Sequence, residues 1–420
     1  MLAPDCCHVL SNGMTVIVKS MPVTEVVAVD VWIKTGSRHD PAWGWGMSHF
    51  LEHMVFKGTP TLPPGAFDRL IEGRGGMTNA ATSYDYTHYY VTVAAADVAE
   101  VLPALAELIL GAGIPVAELE RERLVVLEEL RGAADDPDHE AYQRLMAQVF
   151  AGHPYGRSVL GTMESVAGIT AEQMRAFHRR RYRPSQMVVA VAGAVDGDQL
   201  LLWLEQCFGQ WPDPGDPEGE EEPGVVATAG GRLAWEHPRV ELPRLYMVWP
   251  TVALPRWSES ICLDLLAVVL GQGRISRLVR RLREDYGWVR GIGCHHQTQV
   301  LGGYFLVAAH LHSGSPERVE QVIRQELAAV QQEGITPAEL TRAQKALSHE
   351  LLFSSESAAQ VAGLLGYYAL MGELPSLAAS WEWLQQVRLE SLRLVAEHYL
   401  PLDGYTLLHL SPTRVPLPQS

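Results

Sequence analysis

The sequence predicts an α+β protein made of two homologous domains, each an antiparallel sheet packed with helices. Three features of the 420 residues lead there. β-branched and apolar runs are mixed with stretches of helical spacing instead of alternating strictly with them, which favours antiparallel sheets plus helices. The segment Trp211 to Gly224 (WPDPGDPEGEEEPG) is acidic, proline-rich and almost free of apolar side chains, so it reads as an exposed linker that cuts the chain nearly in half. The patterns on its two sides resemble each other. The expected division is a first domain over 1–210, a linker over 211–230 and a second domain over 231–420. The length agrees, since a single hydrophobic core rarely keeps growing in a chain of this size.

Taken in order, Val26 to Gly36 (VVAVDVWIKTG) has the composition of a strand. Asp97 to Leu110 and Pro115 to Arg131 place apolar residues at helical spacing, and Met187 to Gly193 reads as a buried strand. In the second half Leu245 to Leu254 (LYMVWPTVAL) takes the part of the first strand. Ser258 to Leu270, Pro316 to Gln332 and Pro337 to Phe353 then read as helices.

Hydrophobic residues make up 47% of the chain and charged residues 20%, the balance of a folded globular protein. The formal net charge of -16 argues against nucleic acid or an anionic membrane as partner and suits attraction of basic peptides. No stretch reaches the roughly 18 apolar residues of a membrane span. The start, Met1-Leu-Ala-Pro-Asp-Cys, has no basic region followed by an apolar run, so no secretory leader is expected and the expected location is cytoplasmic. The five cysteines are odd in number and lack zinc-finger spacing, which suits reduced thiols.

The chemistry concentrates in Gly46 to Gly58 (GMSHFLEHMVFKG). Interleaved apolar residues between glycines predict a helix there. Residues four apart share a helical face about 6 Å apart, so His49 and His53 are placed to offer two imidazole nitrogens to one zinc ion. Glu52, three residues after His49, lies near that face, where it would reach a water and not the metal. This is the inverted His-x-x-Glu-His order. Random shuffling of this composition gives the His-x-x-acid-His pattern about 0.07 times per chain, so the motif is informative without being decisive alone.

A catalytic zinc also needs a third protein ligand and a position left for water. In Glu120 to Gly132 (ERERLVVLEELRG), Glu122 and Glu129 lie seven residues apart, two turns along one side of a helix. Glu129 suits the metal. Glu122 suits a supporting role, orienting a histidine or the water.

HFLEHMVFKGT, followed 76 positions after His53 by Glu129 within ERLVVLEEL, resembles the pitrilysin family of zinc metallopeptidases, in particular its mitochondrial processing peptidase-like branch of short two-domain subunits. Further matching pieces are SNGMTVIV (Ser11 to Val18), GGMTNAATSYDYTHYYVTV (Gly75 to Val93), HPYGRSVLGTMESV (His153 to Val166) and GQGRISRLVRRLRE (Gly271 to Glu284). The resemblance implies zinc on His49, His53 and Glu129, with Glu52 as general base and Glu122 as a supporting acid. It also implies that Thr78 to Tyr84 is an edge strand that takes up an extended peptide, with Asn79 and Ala80 as substrate contacts.

The resemblance further implies an Arg and a Tyr from the second domain to stabilise the oxyanion. Arg283 stands at the Arg position, but the Tyr expected seven residues later is replaced by Arg290, with Tyr286 nearby. The expectation is therefore a zinc endopeptidase subunit completed by a homologous sister chain that carries both residues. A homodimer or monomer using Arg283, Arg290 or Tyr286 is the competing arrangement. A non-catalytic peptide-binding or scaffold subunit is the competing function.

Overall fold

A computed structural model of the chain describes residues 3–215, 230–312, 315–372 and 377–413. The first sheet is built from β1 (Cys6–Val9), β2 (Thr15–Ser20), β3 (Val26–Ile33), β4 (Met77–Thr82), β5 (Thr87–Ala94) and β6 (Met187–Gly193). Its helices are α1 (Met47–Val55), α2 (Ala66–Glu72), α3 (Val98–Leu110), α4 (Val116–Asp135), α5 (Pro137–Val149), α6 (Met163–Gly168), α7 (Ala171–Arg181) and α8 (Gly197–Leu204). The second half supplies β7 (Gly231–His237), β8 (Arg244–Thr251), β9 (Val289–Thr298), β10 (Gly303–Leu311) and β11 (Thr406–Pro412). With them come α9 (Trp257–Gly271), α10 (Pro316–Glu333), α11 (Pro337–Phe353), α12 (Ala358–Met371), α13 (Leu377–Gln386) and α14 (Leu389–Tyr399).

The strand orders are β1-β2-β6-β3-β5-β4 and β7-β11-β8-β10-β9. Apart from the added edge β1, they are one topology used twice. In chain order β2 corresponds to β7, β3 to β8, β4 to β9, β5 to β10 and β6 to β11. The senses agree as well: β2 with β6 and β7 with β11 are parallel, and the other equivalent pairs are antiparallel. This supports the two-domain α+β class and corrects one detail, because each sheet carries a parallel pair where purely antiparallel sheets were expected. The reason lies in the connections. Three other strands and several helices separate the two strands of each parallel pair, more than the crossover length such pairing needs.

The chain forms two compact units, neither of which is continuous. The first holds Met1–Gly132, Arg157–Glu222 and Leu351–Ala378; the second holds Ala133–Gly156, Pro223–Glu350 and Ala379–Ser420. Helix α5 thus belongs with β8 and β11, and α12 with β3 and β6. Of the stretch 211–230 expected as a linker, residues 216–229 lie outside the described residues.

Strand β3 is apolar except at Asp30, which meets His88 Nδ1 at 3.0 Å, because both of its faces are covered. Val27, Val29, Val31 and Ile33 join the core that contains Met47, Phe50, Leu51 and Met54 of α1, while α12 covers the side bearing Trp32. Gly366 permits that second contact. A β-carbon there would lie 2.3 Å from Trp32 Nε1, far inside van der Waals contact. Gly366→Ala is therefore expected to destabilise the protein by about 1–3 kcal/mol, although alanine is the better helix former. A lowered urea midpoint would register it, and an unchanged or raised midpoint would refute the packing argument.

The second core gathers Leu245, Met247 and Trp249 of β8 with Leu263, Leu266 and Leu270 of α9. The five cysteines are free thiols. Among the described residues no helix is long and apolar enough to cross a membrane.

Candidate metal centre

Helix α1 divides its residues cleanly. Met47, Phe50, Leu51 and Met54 are fully buried, so the opposite face carries His49, Glu52 and His53. The helix begins at Gly46 in the left-handed conformation, φ +89°, where a β-carbon would meet Leu160 O at 2.6 Å. Gly161 (φ +79°) answers from the other side, with Trp45 O at 2.2 Å from the β-carbon position. Only glycine fits where these two backbones pass. The first turn is held by Asp40, whose carboxylate accepts from Gly46 N–H (2.7 Å), Ser48 N–H (2.9 Å) and the Ser48 hydroxyl (2.6 Å). Burial pushes the Asp40 carboxyl up to about 7, against the pull of these hydrogen bonds.

Helix α4 brings the distant carboxylates. Leu119, Glu122 and Val126 are buried on one side, and Glu129 follows two turns after Glu122 with its side chain 42% exposed. One nitrogen of each histidine and one oxygen of Glu129 lie within 4.8 Å of one another. Glu129 Oε2 is 3.7 Å from His49 Nε2 and 3.5 Å from His53 Nε2. Ligands about 2.0–2.2 Å from a tetrahedral zinc stand about 3.3–3.6 Å apart, so the two carboxylate–imidazole distances suit one ion, with the imidazole pair held within 4.8 Å.

A further layer sets the state of the rings. His53 Nδ1 donates to Glu122 Oε1 at 3.0 Å, which leaves the Nε2 lone pair on the Glu129 side. Lys57 Nζ holds the other Glu122 oxygen at 2.7 Å. Burial works to raise the Glu122 pKa, but its hydrogen bonds to His53 and Lys57 prevail and lower it. Burial likewise opposes charge on His53, yet Glu122, Glu129 and Glu52 outweigh it and raise that pKa. Burial, followed by the neighbouring His53, brings His49 down to about 4, so its ring is neutral, the form a metal requires. Glu52 accepts a hydrogen bond from the Thr82 hydroxyl at the end of β4. Its pKa is raised by burial, with the Thr82 bond and the imidazoles of His53 and His88 acting the other way.

The first unit therefore brings together His49, Glu52, His53, Glu122 and Glu129. Strand β4 is an edge of the sheet and packs beside α1. On it Asn79 is exposed and its Oδ1 accepts the Ala80 N–H at 2.9 Å, while Ala80 packs against the core. Arg283 belongs to the second unit, in the π-helical segment Val279–Asp285, where its Nε and Nη2 bind Glu284 at 2.9 and 2.6 Å. Arg290 is exposed on β9, and the Tyr286 ring stacks on Trp288 at 4.5 Å. Helix α9, the counterpart of α1, carries no histidine pair; its Asp264 binds His296 of β9 at 2.8 Å.

Lys57, Thr82 and Asp40 were not singled out from the sequence. Lys57 stands one turn after His53, and strand alternation places Thr82 on the Ala80 side of β4, so two of the three left a readable trace.

Residues 15–163 match the family model described as insulinase (peptidase family M16), and residues 168–347 match that of the peptidase M16 inactive domain. The chain is 33% identical over 405 residues to an uncharacterized zinc protease of Mycobacterium leprae, spanning 94% of this chain and 89% of that protein. It is 29% identical over 409 residues to the uncharacterized zinc protease YmxG of Bacillus subtilis, spanning 97% and 98%. A protease from Helicobacter pylori of known structure has a TM-score of 0.90 at 26% identity, covering 98% of this chain and 100% of that one. Pitrilysin shares the fold, with a TM-score of 0.80 at 19% identity over 96% of this chain and 44% of its own. These likenesses define a peptidase class. The chain belongs to the M16 peptidase family.

Proposed function

We propose that the chain is a zinc-dependent endopeptidase subunit that hydrolyses extended peptides, with His49, His53 and Glu129 as ligands and Glu52 as general base. The observation that carries this reading is the convergence of three donor atoms within 4.8 Å from two helices, with His53 and Glu129 76 residues apart in sequence. The donor set, two imidazoles and one carboxylate, is that of a catalytic zinc site with a fourth position for water or substrate. When bound, zinc would polarise the scissile carbonyl and acidify water.

The remaining chemistry falls to the chain's own groups. Glu52 takes the water proton and later passes it to the leaving amine. Glu122 holds His53 in the tautomer that ligates, and Lys57 keeps Glu122 ionised for that task. The edge of β4 around Asn79 and Ala80 pairs with the main chain of an extended peptide, so unfolded segments are substrates and compact proteins resist. Arg283, with a homologous partner chain, serves the oxyanion. The competing reading, a non-catalytic scaffold or peptide-binding subunit, draws on the match of residues 168–347 to a domain described as inactive.

The test is metal analysis of the purified chain. One zinc per chain is expected, with His53→Ala losing it. Absence of zinc from the wild type after zinc supply, or full zinc retention by His53→Ala, would overturn the ligand set.

A further inference from the structure

The general base is tied to the strand expected to hold the peptide. Side chains alternate along β4, so Thr78, Ala80 and Thr82 share one face, and Ala80 packs on the core that includes α1. On that face the Thr82 hydroxyl donates to Glu52 Oε2. A hydroxyl has one proton to give. The neighbouring Thr87 hydroxyl lies 3.4 Å away and directs its own proton to the Thr35 carbonyl at 2.9 Å. The charged Glu52 carboxylate is the stronger acceptor for the Thr82 proton. A glutamate rotates freely about its terminal torsion, and a fixed donor on one oxygen removes that freedom while leaving the second oxygen available to water.

We propose that Thr82 is a positioning residue for Glu52: its hydroxyl sets the orientation of the carboxylate and couples it to the end of β4, so that peptide pairing on the strand also steadies the base. This rests on the peptidase reading above and adds to it the residue that links substrate uptake to proton transfer. It makes a distinctive demand. Removing the hydroxyl slows turnover without weakening the hold on peptide or metal.

The comparison uses the full chain, wild type, Thr82→Val, Thr82→Ser, Glu52→Gln and the Glu52→Gln/Thr82→Val double variant, with a linear peptide under enzyme excess. Thr82→Val keeps the β-branched shape and is expected to lower kcat about 10- to 100-fold with KM within about twofold, the usual cost of a misaligned catalytic group. Zinc content, and the peptide affinity of the metal-stripped protein, are expected to match wild type. Thr82→Ser restores most of the rate. In the Glu52→Gln background, Thr82→Val is expected to add less than about twofold, because residues that act as a unit are not additive. Thr82→Ala supports the same comparison if the valine protein does not fold. A wild-type kcat in Thr82→Val, a loss that follows peptide affinity, or a full multiplicative loss in the double variant would overturn the inference. A zinc-loaded Glu52→Gln protein as fast as wild type would remove Glu52 from the mechanism and overturn the inference with it, whereas no hydrolysis by the wild type, alone or with a homologous chain, would overturn the peptidase reading itself.

Discussion

Glu52→Gln protein is expected to carry as much zinc as the wild type and to hydrolyse peptides at least about 100-fold more slowly. The two halves of this result come from different atoms. The proposed metal donors are His49, His53 and Glu129, so exchanging one oxygen of Glu52 for an amide nitrogen leaves their spacing of 3.5 and 3.7 Å intact. Glutamine also keeps an oxygen that accepts the Thr82 hydroxyl, so α1 and β4 stay joined. What disappears is a group able to hold the water's proton, and neither of the two other carboxylates brought to the site is placed to take over, since Glu129 faces both histidines and Glu122 is engaged by His53 and Lys57. Zinc content and rate, measured on one preparation, separate a lost base from a lost metal. Wild-type turnover by a zinc-loaded Glu52→Gln protein would remove Glu52 from the mechanism.

Much of this arrangement was legible because periodicity and chemistry pointed the same way. The run from Val26 reads as a strand and forms β3; Pro337 to Phe353 reads as a helix and forms α11 over the same residues. His49, Glu52 and His53 were readable together because their spacing matches one helical face and the apolar residues between them match the other. Periodicity states that a face must be covered but not by what. The apolar surround of α12 announces burial, yet nothing in its sequence says that Gly366 will lie on Trp32 of a strand more than 300 residues earlier. The parallel pairing of β2 with β6 is equally non-local. At the site, Glu122 was expected to orient a histidine or a water, and its contact is with a histidine, 3.0 Å from His53 Nδ1. Lys57 completes that chain through a long side chain whose direction spacing alone does not determine.

The chain alone is expected to be a poor peptidase, about 100- to 1,000-fold below the rate it reaches with a homologous chain that carries both Arg and Tyr. The resemblance calls for two oxyanion donors in the second domain, and this sequence has Arg283 with Arg290 where the Tyr would stand. Arg290 is exposed on β9 and brings a charged guanidinium with a different reach from a phenol. Tyr286 is a weak substitute. Its ring stacks on Trp288 at 4.5 Å and the Arg281 guanidinium lies 5.9 Å from its centre, so the ring is already engaged within its own unit. Arg283 is itself bound to Glu284 through two nitrogens. A chain with a complete set of proposed metal donors and an incomplete oxyanion pair is what a division of labour between sister subunits would leave. Mixing purified chain with the sister subunit should raise turnover without changing zinc content, whereas a sister chain with its Tyr replaced by Phe should give a much smaller rise. Arg290→Tyr in this chain is expected to recover part of the rate alone. Robust hydrolysis by the isolated chain, unchanged by the homologue and by Arg290→Tyr, would rule out the division of labour and favour a homodimer or monomer that uses Arg283, Arg290 or Tyr286 in place.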